Sequence, residues 1–361
     1  MKELARNLGL VLFGVTVSLL LFEAFAWFMP RPWLPVRLRE LGETMERNRR
    51  ADSFLIPDKE LLFKIAPNTD FIVKHPDYTF RLKTNLNLGG IGFRGGILGG
   101  PPWGVAVGDS FTFGQGVEHE ETWSSRLATT LGREVVNFGI PAQGPAQYTR
   151  VLKRYALPLR PRVAFYGVYF NDLDSAARFR RMKSRLIPVS RYLRNFSYTY
   201  NLFRGIQRAP AIQPVFVQTA GSEFDLSAEG LRSNLERQKR NFDERWQLTL
   251  REIEEGRRAS AEAQVAFVLF YFPSRWEVHW DVIKKQVNWP ANLDIDRFRR
   301  AVVQYCTTEK ISCLDLTPAL KQAASQGRQL YFRLDGHWNR EGNRVVAEAI
   351  HEYLVATGVA Q

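Results

Sequence analysis

The sequence contains little cysteine and little histidine, two and five residues respectively among 361. It also has no internal repeat, no low-complexity tract and no spacing of ligand residues typical of a metal site. These absences exclude a repeat architecture, and we expect the protein to need neither a metal nor an organic cofactor. The two cysteines, Cys306 and Cys313, could be joined in a body outside the cytoplasm, but we favour two unpaired, buried thiols.

Acidic residues are fewer than basic ones, 37 against 50, which gives a net charge of +13 and an isoelectric point near 9.9. The excess predicts attraction to anionic surfaces such as phospholipid headgroups or acidic polymers. It does not predict nucleic acid as a partner, because no recognisable DNA- or RNA-binding motif accompanies the charge. A hydrophobic content of 45% with 13% aromatics indicates a packed globular body, either one sizeable core with appendages or two small domains.

One long apolar run extends from Leu8 to Met29 and is interrupted by Glu23. At about 1.5 Å per residue a helix of this length can cross a bilayer core of about 30 Å. A cleaved signal peptide ending at Ala24-Phe25-Ala26 is the alternative, but we favour a retained anchor over residues 1–30, because the run continues past that site. We expect a single-pass protein of the cell membrane with its body outside the cytoplasm, in the periplasm of a Gram-negative cell, because only a short N-terminal tail then remains inside.

Five apolar, β-branched or aromatic runs predict core strands, with helical periodicities between them. The strands are Trp103–Val107, Glu134–Phe138, Arg162–Val168, Gln264–Phe272 and Ile311–Leu316. Helices are indicated by Trp123, Leu127 and Leu131, by one long face from Leu231 to Ile253, by Phe298, Val302 and Tyr305, and by Glu341 to Leu354. Strands that alternate with helices predict a three-layer α/β/α fold with a central parallel sheet of about five strands.

The region before this sheet is predicted to be a separate lead-in. Residues 31–100 combine a Pro/Arg-rich connector with short strands at Phe71–Val73 and Tyr78–Leu82 and an extended loop at Gly89–Gly100. The main domain is then 101–361, with an insertion at about 174–260. Within the insertion, Asp174–Arg194 interleaves seven Lys or Arg residues with apolar side chains. We favour a solvated insertion, and the alternative is a basic lid that touches a membrane or an anionic glycan.

Two distant motifs supply the residue types of a serine nucleophile and its base. The first core strand runs into Gly108-Asp109-Ser110, which puts a hydroxyl on a glycine-bracketed turn, whereas Asp335 and His337 lie in a polar turn before the last helix. A serine hydroxyl needs a base to take its proton, and the base needs a carboxylate to orient it. Of the five histidines only His337 combines a close acid, flanking turn residues and a following helix. The alternative is that Asp335 and His337 only cap that helix.

An attacked ester carbonyl becomes an oxyanion, which needs hydrogen-bond donors fixed in advance. The candidates are the backbone N–H of Ser110, the side-chain amide of Asn171 just past the third strand, and a backbone N–H in the turn Asn137–Gly144. Sites in parallel sheets gather at the carboxyl ends of the strands, so we expect one shared pocket. Asn171 and the turn could instead serve local loop geometry alone.

At these residues the chain resembles the SGNH (GDSL-type) hydrolase family, which has a flavodoxin-like α/β/α fold. Gly-Asp-Ser (108–110) is similar to the nucleophile block, Tyr-Phe-Asn-Asp (169–172) to the asparagine block, and Asp335 with His337 to the final block. The resemblance covers about 101–361, and 85–95 resembles a lead-in of membrane-anchored members. It implies that Ser110 is the nucleophile, His337 the base, Asp335 its orienting acid and Asn171 an oxyanion donor.

Two departures from the family pattern bear on mechanism. The glycine donor of the family corresponds to Ala142 here, whose N–H can still donate unless the position requires a positive φ; Gly139 and Gly144 are the fallback donors. The final Asp and His are two apart, whereas many esterases of the family space them three apart. The closer spacing occurs in anchored relatives and in polysaccharide O-acetyltransferases, so hydrolase and transferase both stay open.

The function predicted from these features is a membrane-anchored serine esterase or O-acyltransferase. Its expected substrate is an acyl ester, above all an acetyl ester, of a glycan outside the cytoplasm, with lipid esters or thioesters as the next choices. Glycan as substrate rests on the family resemblance and on the basic charge. A membrane protein that supplies the acyl group is left open as a partner. The alternative from another class is a non-catalytic anchored module that binds polymer or organises a membrane assembly.

Overall fold

The computed structural model describes residues 2–88, 90–95, 100–173, 175, 179, 187–206, 215–221, 223–286 and 294–359. The chain forms two compact units, one made of Met1–Phe54 with Ser184–Gln213 and the other of Leu55–Lys183 with Pro214–Gln361. All the predicted catalytic residues belong to the second unit.

The second unit is built on a large mixed sheet. The strands are β1 (Leu55–Asp58), β2 (Leu62–Ile65), β3 (Asp70–His75), β4 (Tyr78–Leu88), β5 (Ile91–Arg94), β6 (Gly104–Gly108), β7 (Val135–Gly139), β8 (Val163–Tyr169), β9 (Phe216–Gln218), β10 (Glu223–Asp225), β11 (Ala266–Phe272) and β12 (Cys313–Asp315). The main sheet has the order β12-β11-β8-β6-β7-β5-β4-β3. Its first five strands in this order are parallel, and β5, β4 and β3 add an antiparallel extension. β1 with β2 and β9 with β10 form separate antiparallel pairs.

The helices connect the parallel strands and also form the first unit. They are α1 (Lys2–Phe28), α2 (Val36–Ser53), α3 (Ser110–Phe113), α4 (Trp123–Leu131), α5 (Pro145–Val151), α6 (Ile187–Phe196), α7 (Tyr198–Ile206), α8 (Ala228–Lys239), α9 (Phe242–Glu262), α10 (Arg275–Val278), α11 (Trp280–Gln286), α12 (Arg297–Thr308), α13 (Thr317–Ser325) and α14 (Arg340–Ala356). Single 3-10 turns lie at Arg31–Trp33, His119–Glu121 and Leu157–Leu159, and one π turn lies at Leu152–Ala156.

Neighbouring aromatic residues on the parallel strands pack on opposite faces of the sheet. On one face Phe165 stacks on Phe270, with 5.3 Å between ring centroids, in a core that α4, α13 and α14 complete. On the other face the hydroxyl of Tyr166 donates to the carbonyl oxygen of Pro145, the first residue of α5. On the same face Tyr271 packs against Phe298 of α12. Burying each such ring contributes roughly 1.5–3 kcal/mol. Burial on both faces explains why these strands are continuous apolar runs.

The predicted α/β fold with a central, mostly parallel sheet is confirmed. All five predicted core strands are present as β6, β7, β8, β11 and β12, with bounds within two residues of those predicted. The lead-in differs from the prediction, because β5 lies inside the predicted loop Gly89–Gly100 and pairs with β7. The boundary predicted at residue 100 therefore runs through a single sheet. Residues 89 and 96–99 of that loop lie outside the described residues.

The long helix predicted from Leu231 to Ile253 is in fact two helices, α8 and α9. They are separated at Asn241, whose φ of 53° lies in the left-handed region. Asparagine enters this region more readily than most residues, so the apolar periodicity continues while the helix axis breaks. α9 packs closely on the main sheet, since a side chain at Gly256 would meet the ring of Tyr166 of β8 at 3.1 Å. Much of the predicted basic stretch 174–194 lies outside the described residues.

Cys306 and Cys313 form a disulfide, which corrects our preference for two free thiols. Cys306 lies near the end of α12 and Cys313 begins β12, the strand that follows this helix. The short connection brings their Cα atoms to 6.0 Å, within the usual range for a bridge.

The first unit contains α1, α2, α6 and α7. Its buried cluster consists of Ala26, Leu34, Leu38, Met45 and Tyr198. Among the described residues, one stretch of α1, Arg6–Phe28, is long and apolar enough to cross a membrane, judged by length and composition. A signal sequence would have the same properties.

Candidate active site

Ser110 and His337 meet at the carboxyl end of β6. Ser110 follows that strand at the start of α3, where the Asp109 carboxylate accepts the N–H of Phe111 at 2.9 Å and fixes the turn. The hydroxyl oxygen of Ser110 lies 2.6 Å from Nε2 of His337, although 227 positions separate the two residues. Only 9% of the Ser110 surface is exposed. The hydroxyl is therefore within reach of a base in a largely enclosed setting.

Asp335 fixes the orientation and the tautomer of His337. One carboxylate oxygen, Oδ1, bonds to Nδ1 of the imidazole and accepts the backbone N–H of His337 at 2.8 Å. Because a carboxylate only accepts, the ring proton belongs on Nδ1 and Nε2 is left as the acceptor that faces Ser110. This order, hydroxyl to imidazole to carboxylate, is the arrangement that activates a serine nucleophile.

The Asp335 carboxyl group is ionised. Burial alone would raise its pKa, but the charge of His337 and hydrogen bonds from the His337 side chain, the His337 backbone and Tyr78 hold the pKa well below its usual range. The carboxylate therefore remains a negative charge beside the imidazole well below neutral pH.

A clamp formed by Asp77, Tyr78 and Arg275 holds the Asp335 turn. Oδ2 of Asp77 accepts the backbone N–H groups of Leu334 and Asp335, both at 2.7 Å. The Tyr78 hydroxyl donates to Oδ2 of Asp335 at 3.0 Å. From the other side the buried guanidinium of Arg275 donates to the carbonyl oxygens of Leu334 and Asp335 at 3.4 and 3.3 Å. Side chains from the β3–β4 connection, the start of β4 and α10 thus position the turn that carries Asp335.

Tyr78 acts as a donor in this clamp. Burial and the neighbouring Asp335 carboxylate raise the pKa of Tyr78, so the phenol keeps its proton. The Gln115 side-chain amide donates to the phenolic oxygen at 3.2 Å, and His75 stacks on the ring with 4.5 Å between centroids. The phenol is therefore held in place independently of its bond to Asp335.

We expect Tyr78→Phe to lower kcat about 10-fold, since a hydrogen bond to a charged group contributes about 1.5–3 kcal/mol. The loss should leave KM nearly unchanged, because Tyr78 acts through Asp335. Steady-state kinetics on p-nitrophenyl acetate measures both constants, and Tyr353→Phe on α14 removes the same atom outside the site. A change confined to KM would instead indicate that Tyr78 contacts the substrate.

Arg94 of β5 bonds to the backbone of the segment that follows Ser110. Its buried guanidinium donates to the carbonyl oxygen of Phe113 at 3.1 Å and also bonds to those of Gly114 and Val117. Burial lowers the pKa of Arg94 to about 10, so it stays charged at neutral pH. A side chain from the lead-in therefore bonds to the last carbonyl of α3 and to two carbonyls of the loop that follows it.

Asn171 lies just past β8, in a turn that the next residue secures. Asp172 is fully buried, accepts the N–H of Tyr169 at 2.9 Å and accepts the hydroxyl of Tyr148 at 3.1 Å. Burial raises the pKa of Asp172 well above its usual value. Asn171 itself is exposed. Asp172 thus shapes the turn, while Asn171 is accessible to a ligand.

The turn that carries Ala142 requires a positive φ, and alanine adopts it. The N–H of Gln143 donates to the carbonyl of Ile140 at 3.3 Å, and Ala142 has a φ of 62° at the third position of this turn. That position favours glycine, and an L-residue in the left-handed region costs roughly 1–2 kcal/mol. The position therefore does require a positive φ, and Ala142 adopts it at the cost of backbone strain. Ala142 is thus retained as a candidate oxyanion donor.

The fallback glycines already have partners for their N–H groups. Gly139 donates to the side-chain oxygen of Asn137 at 2.9 Å, and Gly144 donates to that of Gln147 at 3.2 Å. A side chain on Gly139 would meet the backbone of Phe113 at 2.2 Å. Glycine is thus needed at 139 to let β7 approach α3, which is a packing role.

The last helix does not depend on Asp335 or His337 for its cap. The side-chain oxygen of Asn339 accepts the N–H groups of Glu341 and Gly342, both at 2.9 Å. The alternative in which Asp335 and His337 only cap this helix therefore has no support. Elsewhere in the second unit His279 is buried, which lowers its pKa to about 4, and it packs against Phe224.

A cleft of about 240 Å³ adjoins the catalytic turn. Its lining consists of Tyr169, Ser227, Arg275, Trp276, Leu334 and Gly336. Aromatic rings, a hydroxyl and a guanidinium line the same space, which suits a polar ligand with flat apolar faces. Within the described ranges, no group of three or more His, Cys, Asp or Glu side chains is arranged to hold a metal ion.

The sequence analysis assigned no role to the supporting residues Asp77, Tyr78, Arg94, Asp172 and Arg275. Two of them lay in segments with a family resemblance, Arg94 in 85–95 and Asp172 in the asparagine block 169–172. Asp77, Tyr78 and Arg275 carry no local pattern, because each contacts a distant segment.

Comparison with known families bears on the C-terminal part of the chain. Residues 231–361 match the family model described as SGNH hydrolase-like domain, acetyltransferase AlgX. The matched range includes Asp335 and His337, whereas Ser110 and Asn171 precede it. No match was found among curated protein sequences.

Similar solved structures include two with lipolytic or esterase descriptions, together with TesA. A lipolytic protein of the G-D-S-L family from Desulfitobacterium hafniense is 17% identical with a TM-score of 0.41, covering 70% of this chain and 98% of that one. TesA is 15% identical with a TM-score of 0.39, covering 70% and 97%. A catalytic variant of the acetylxylan esterase Axe2 from Geobacillus stearothermophilus is 12% identical with a TM-score of 0.37, covering 71% and 95%.

The resemblance predicted from the sequence is confirmed by the family match. Residues 231–361 are similar to an SGNH hydrolase-like domain, and this similarity supports a serine hydrolase or acyltransferase of that type.

Proposed function

We propose that this SGNH-type chain is a membrane-anchored serine esterase or O-acyltransferase that acts on acetyl esters of a glycan outside the cytoplasm. The observation that carries the proposal is the contact between the Ser110 hydroxyl and Nε2 of His337 at 2.6 Å, with Asp335 on the other ring nitrogen. A hydroxyl, an acceptor nitrogen and an ionised carboxylate in one line are what acyl transfer through serine requires.

The reaction begins with proton transfer from Ser110 to His337. The Ser110 oxygen bonds to the ester carbonyl carbon while Nε2 takes the hydroxyl proton, and the carbonyl oxygen becomes an oxyanion. His337 then gives the proton to the leaving alkoxide, which departs and leaves an acyl-serine. Water or a sugar hydroxyl attacks the acyl carbon, with its proton passing to His337. Breaking the serine ester returns that proton to Ser110 and releases an acid or a new ester.

We assign the oxyanion to donors from three places: the N–H of Ser110, the N–H of Ala142 and the side-chain amide of Asn171. Ser110 is the first residue of α3, so its N–H has no acceptor within that helix. Asn171 is exposed at the end of β8, a strand that pairs directly with β6. Neighbouring parallel strands end at the same edge of a sheet, which supports a shared site for Ser110 and Asn171.

Replacing Asn171 with alanine is expected to lower kcat by about 10²–10³, the usual effect of losing one oxyanion donor. Asn171→Asp keeps the shape but replaces the amide donor with an acceptor, so it should lose at least as much. Burst and steady-state kinetics with p-nitrophenyl acetate give the rate of acylation. If both variants retain kcat within about threefold of the wild type, the oxyanion is stabilised by backbone donors alone.

Three features support a glycan ester outside the cytoplasm. The family that residues 231–361 match is described as an acetyltransferase, which fits transfer of an acetyl group. The cleft beside the catalytic turn is lined by Tyr169, Trp276 and Arg275, a surface suited to sugar rings and their hydroxyls. The disulfide between Cys306 and Cys313 is typical of proteins in oxidising compartments. Retention of α1 would then tether the enzyme to the membrane.

The test uses the full chain in detergent with a fluorophosphonate probe. The expected result is one covalent adduct per chain, mapped by mass spectrometry to Ser110 and absent from Ser110→Ala. Acetate release from O-acetylated polysaccharides, compared with acetyl transfer from p-nitrophenyl acetate to their deacetylated forms, distinguishes esterase from transferase. A chain that takes up no probe but binds the polysaccharides would support the alternative of a non-catalytic anchored module.

A further inference from the structure

We propose that the hairpin of α6 and α7 lies at the boundary between the headgroups and the acyl chains of the bilayer that α1 spans, held there by Glu23. This inference rests on the membrane-anchoring part of the proposed function and is independent of the catalytic part. All the residues that carry it belong to the first unit.

Glu23 caps the N-terminus of α7. Its carboxylate accepts the backbone N–H of Tyr198 at 2.7 Å and that of Thr199 at 3.0 Å. It also accepts the hydroxyls of Thr199 at 2.7 Å and Ser197 at 3.3 Å. Four donors and the positive end of a helix dipole compensate one negative charge. Glu23 is the only acid within the Arg6–Phe28 span, and all four of these donors to its carboxylate come from the hairpin segment.

The position of Glu23 in α1 sets the depth of the hairpin. Glu23 precedes the end of the candidate span at Phe28 by five residues, which is about 7.5 Å along a helix axis. An isolated acid at a bilayer centre costs about 2.5–3.5 kcal/mol, and the cost falls toward the interface. Because α7 begins on the Glu23 carboxylate, the start of α7 must lie at that same level, inside the boundary of the span.

A second set of contacts fixes the junction between α6 and α7 at the end of α1. The indole N–H of Trp27 donates to the carbonyl of Phe196 at 3.1 Å, and its ring lies 5.7 Å from that of Tyr198. Arg49 lies over both Trp27 and Phe196 and donates to the carbonyl of Asn195 at 2.8 Å. Tryptophan and arginine are typical of the membrane boundary, where a ring is half in lipid and a cation meets headgroups.

The hairpin also exposes large aromatic side chains that a bilayer would cover. Tyr192 is 63% exposed and Phe203 is 56% exposed, and Tyr192 stacks on the partly exposed Phe196 with 4.9 Å between centroids. Aromatic residues beside a spanning helix match the aromatic belt of membrane proteins. Contact with lipid is favoured over contact with a protein, because the same hairpin is already bonded to Glu23 within the span.

The experiment places single fluorescent probes on the full chain in phosphatidylcholine–phosphatidylglycerol vesicles. The native cysteines are joined, so an introduced cysteine is the free thiol that takes the label. Phe203→Cys reports on the hairpin, Leu20→Cys on the anchor, and Glu43→Cys on an exposed charged position of α2. Spin-labelled lipids quench probes in the bilayer, whereas iodide quenches probes in water.

The expected result is that lipid quenches the probe at 203 about threefold more than the probe at 43, with the opposite order for iodide. Glu23→Gln, which removes the charge that caps α7, should reduce lipid quenching at 203 but not at 20. Quenching at 20 without quenching at 203 overturns the hairpin proposal and leaves the anchor intact. No quenching at either position overturns the anchor itself. Protection at 203 from both quenchers shows a protein partner on this face and also overturns the proposal.

Discussion

Replacing Ser110 with alanine is expected to lower kcat for p-nitrophenyl acetate by on the order of 10⁶, the effect of removing the nucleophile from a serine triad. The variant keeps the turn intact, because the Asp109 carboxylate and the N–H of Phe111 hold it without the hydroxyl. It also keeps the imidazole on Asp335. The loss therefore reports chemistry and not folding, and substrate binding should change little.

The matched control is Ser125→Ala, which removes a hydroxyl from α4 outside the site and should retain full activity. Equal melting temperatures for Ser110→Ala and the wild type, measured by calorimetry, would show that the fold is unaffected. A Ser110→Ala protein that turns over the ester at an undiminished rate would contradict the triad and would shift the proposal toward the non-catalytic module.

The positions of Ser110 and Asn171 were predictable because the carboxyl ends of parallel strands lie on the same edge of a sheet. Continuous apolar runs identified β6 and β8, and polar residues at the ends of two such strands must lie on the same edge of the sheet. The pairing of His337 with Ser110 followed from chemistry, since only one of five histidines had a carboxylate in a suitable turn. None of these steps required knowledge of a distant contact.

The supporting residues were not predictable in this way. Tyr78 contacts Asp335 across 257 positions, and the pattern of a short strand says nothing about which strand it pairs with. Glycines at 90, 92 and 95 obscure the apolar alternation of the segment around β5, so its sequence pattern predicts a loop. The pairing of β5 with β7 instead delivers Arg94 to the nucleophile turn. Such partners depend on the three-dimensional packing of the lead-in.

The backbone conformations of single residues likewise cannot be predicted from the spacing of hydrophobic residues. Asn241 and Ala142 both adopt positive φ values, one to break a helix and the other to complete a tight turn. The apolar spacing continues through Asn241, so the pattern alone indicated one helix where two exist. The disulfide depends on the path between α12 and β12, which the spacing of seven residues does not determine.

Replacing Asp335 with asparagine is expected to lower kcat by on the order of 10⁴, as for the carboxylate of other serine triads. The Asp335 carboxylate is held ionised, and its charge stabilises the imidazolium that forms when His337 takes the Ser110 proton. An amide at 335 can still accept the N–H of His337 through its oxygen, while its NH₂ group donates to the Tyr78 hydroxyl. The imidazole can therefore stay oriented, and the loss should come mainly from the missing charge.

The double variant Asp335→Asn with Tyr78→Phe separates charge from orientation. Without the phenol the amide is free to turn its NH₂ group toward Nδ1, which would favour the wrong tautomer. We therefore expect a further loss of about 10-fold or more beyond the single Asp335→Asn variant. Kinetics on all four proteins of this cycle measures the coupling. If Asp335→Asn alone loses less than about 10-fold, the carboxylate does not stabilise a developing imidazolium, and the role assigned to Asp335 is wrong.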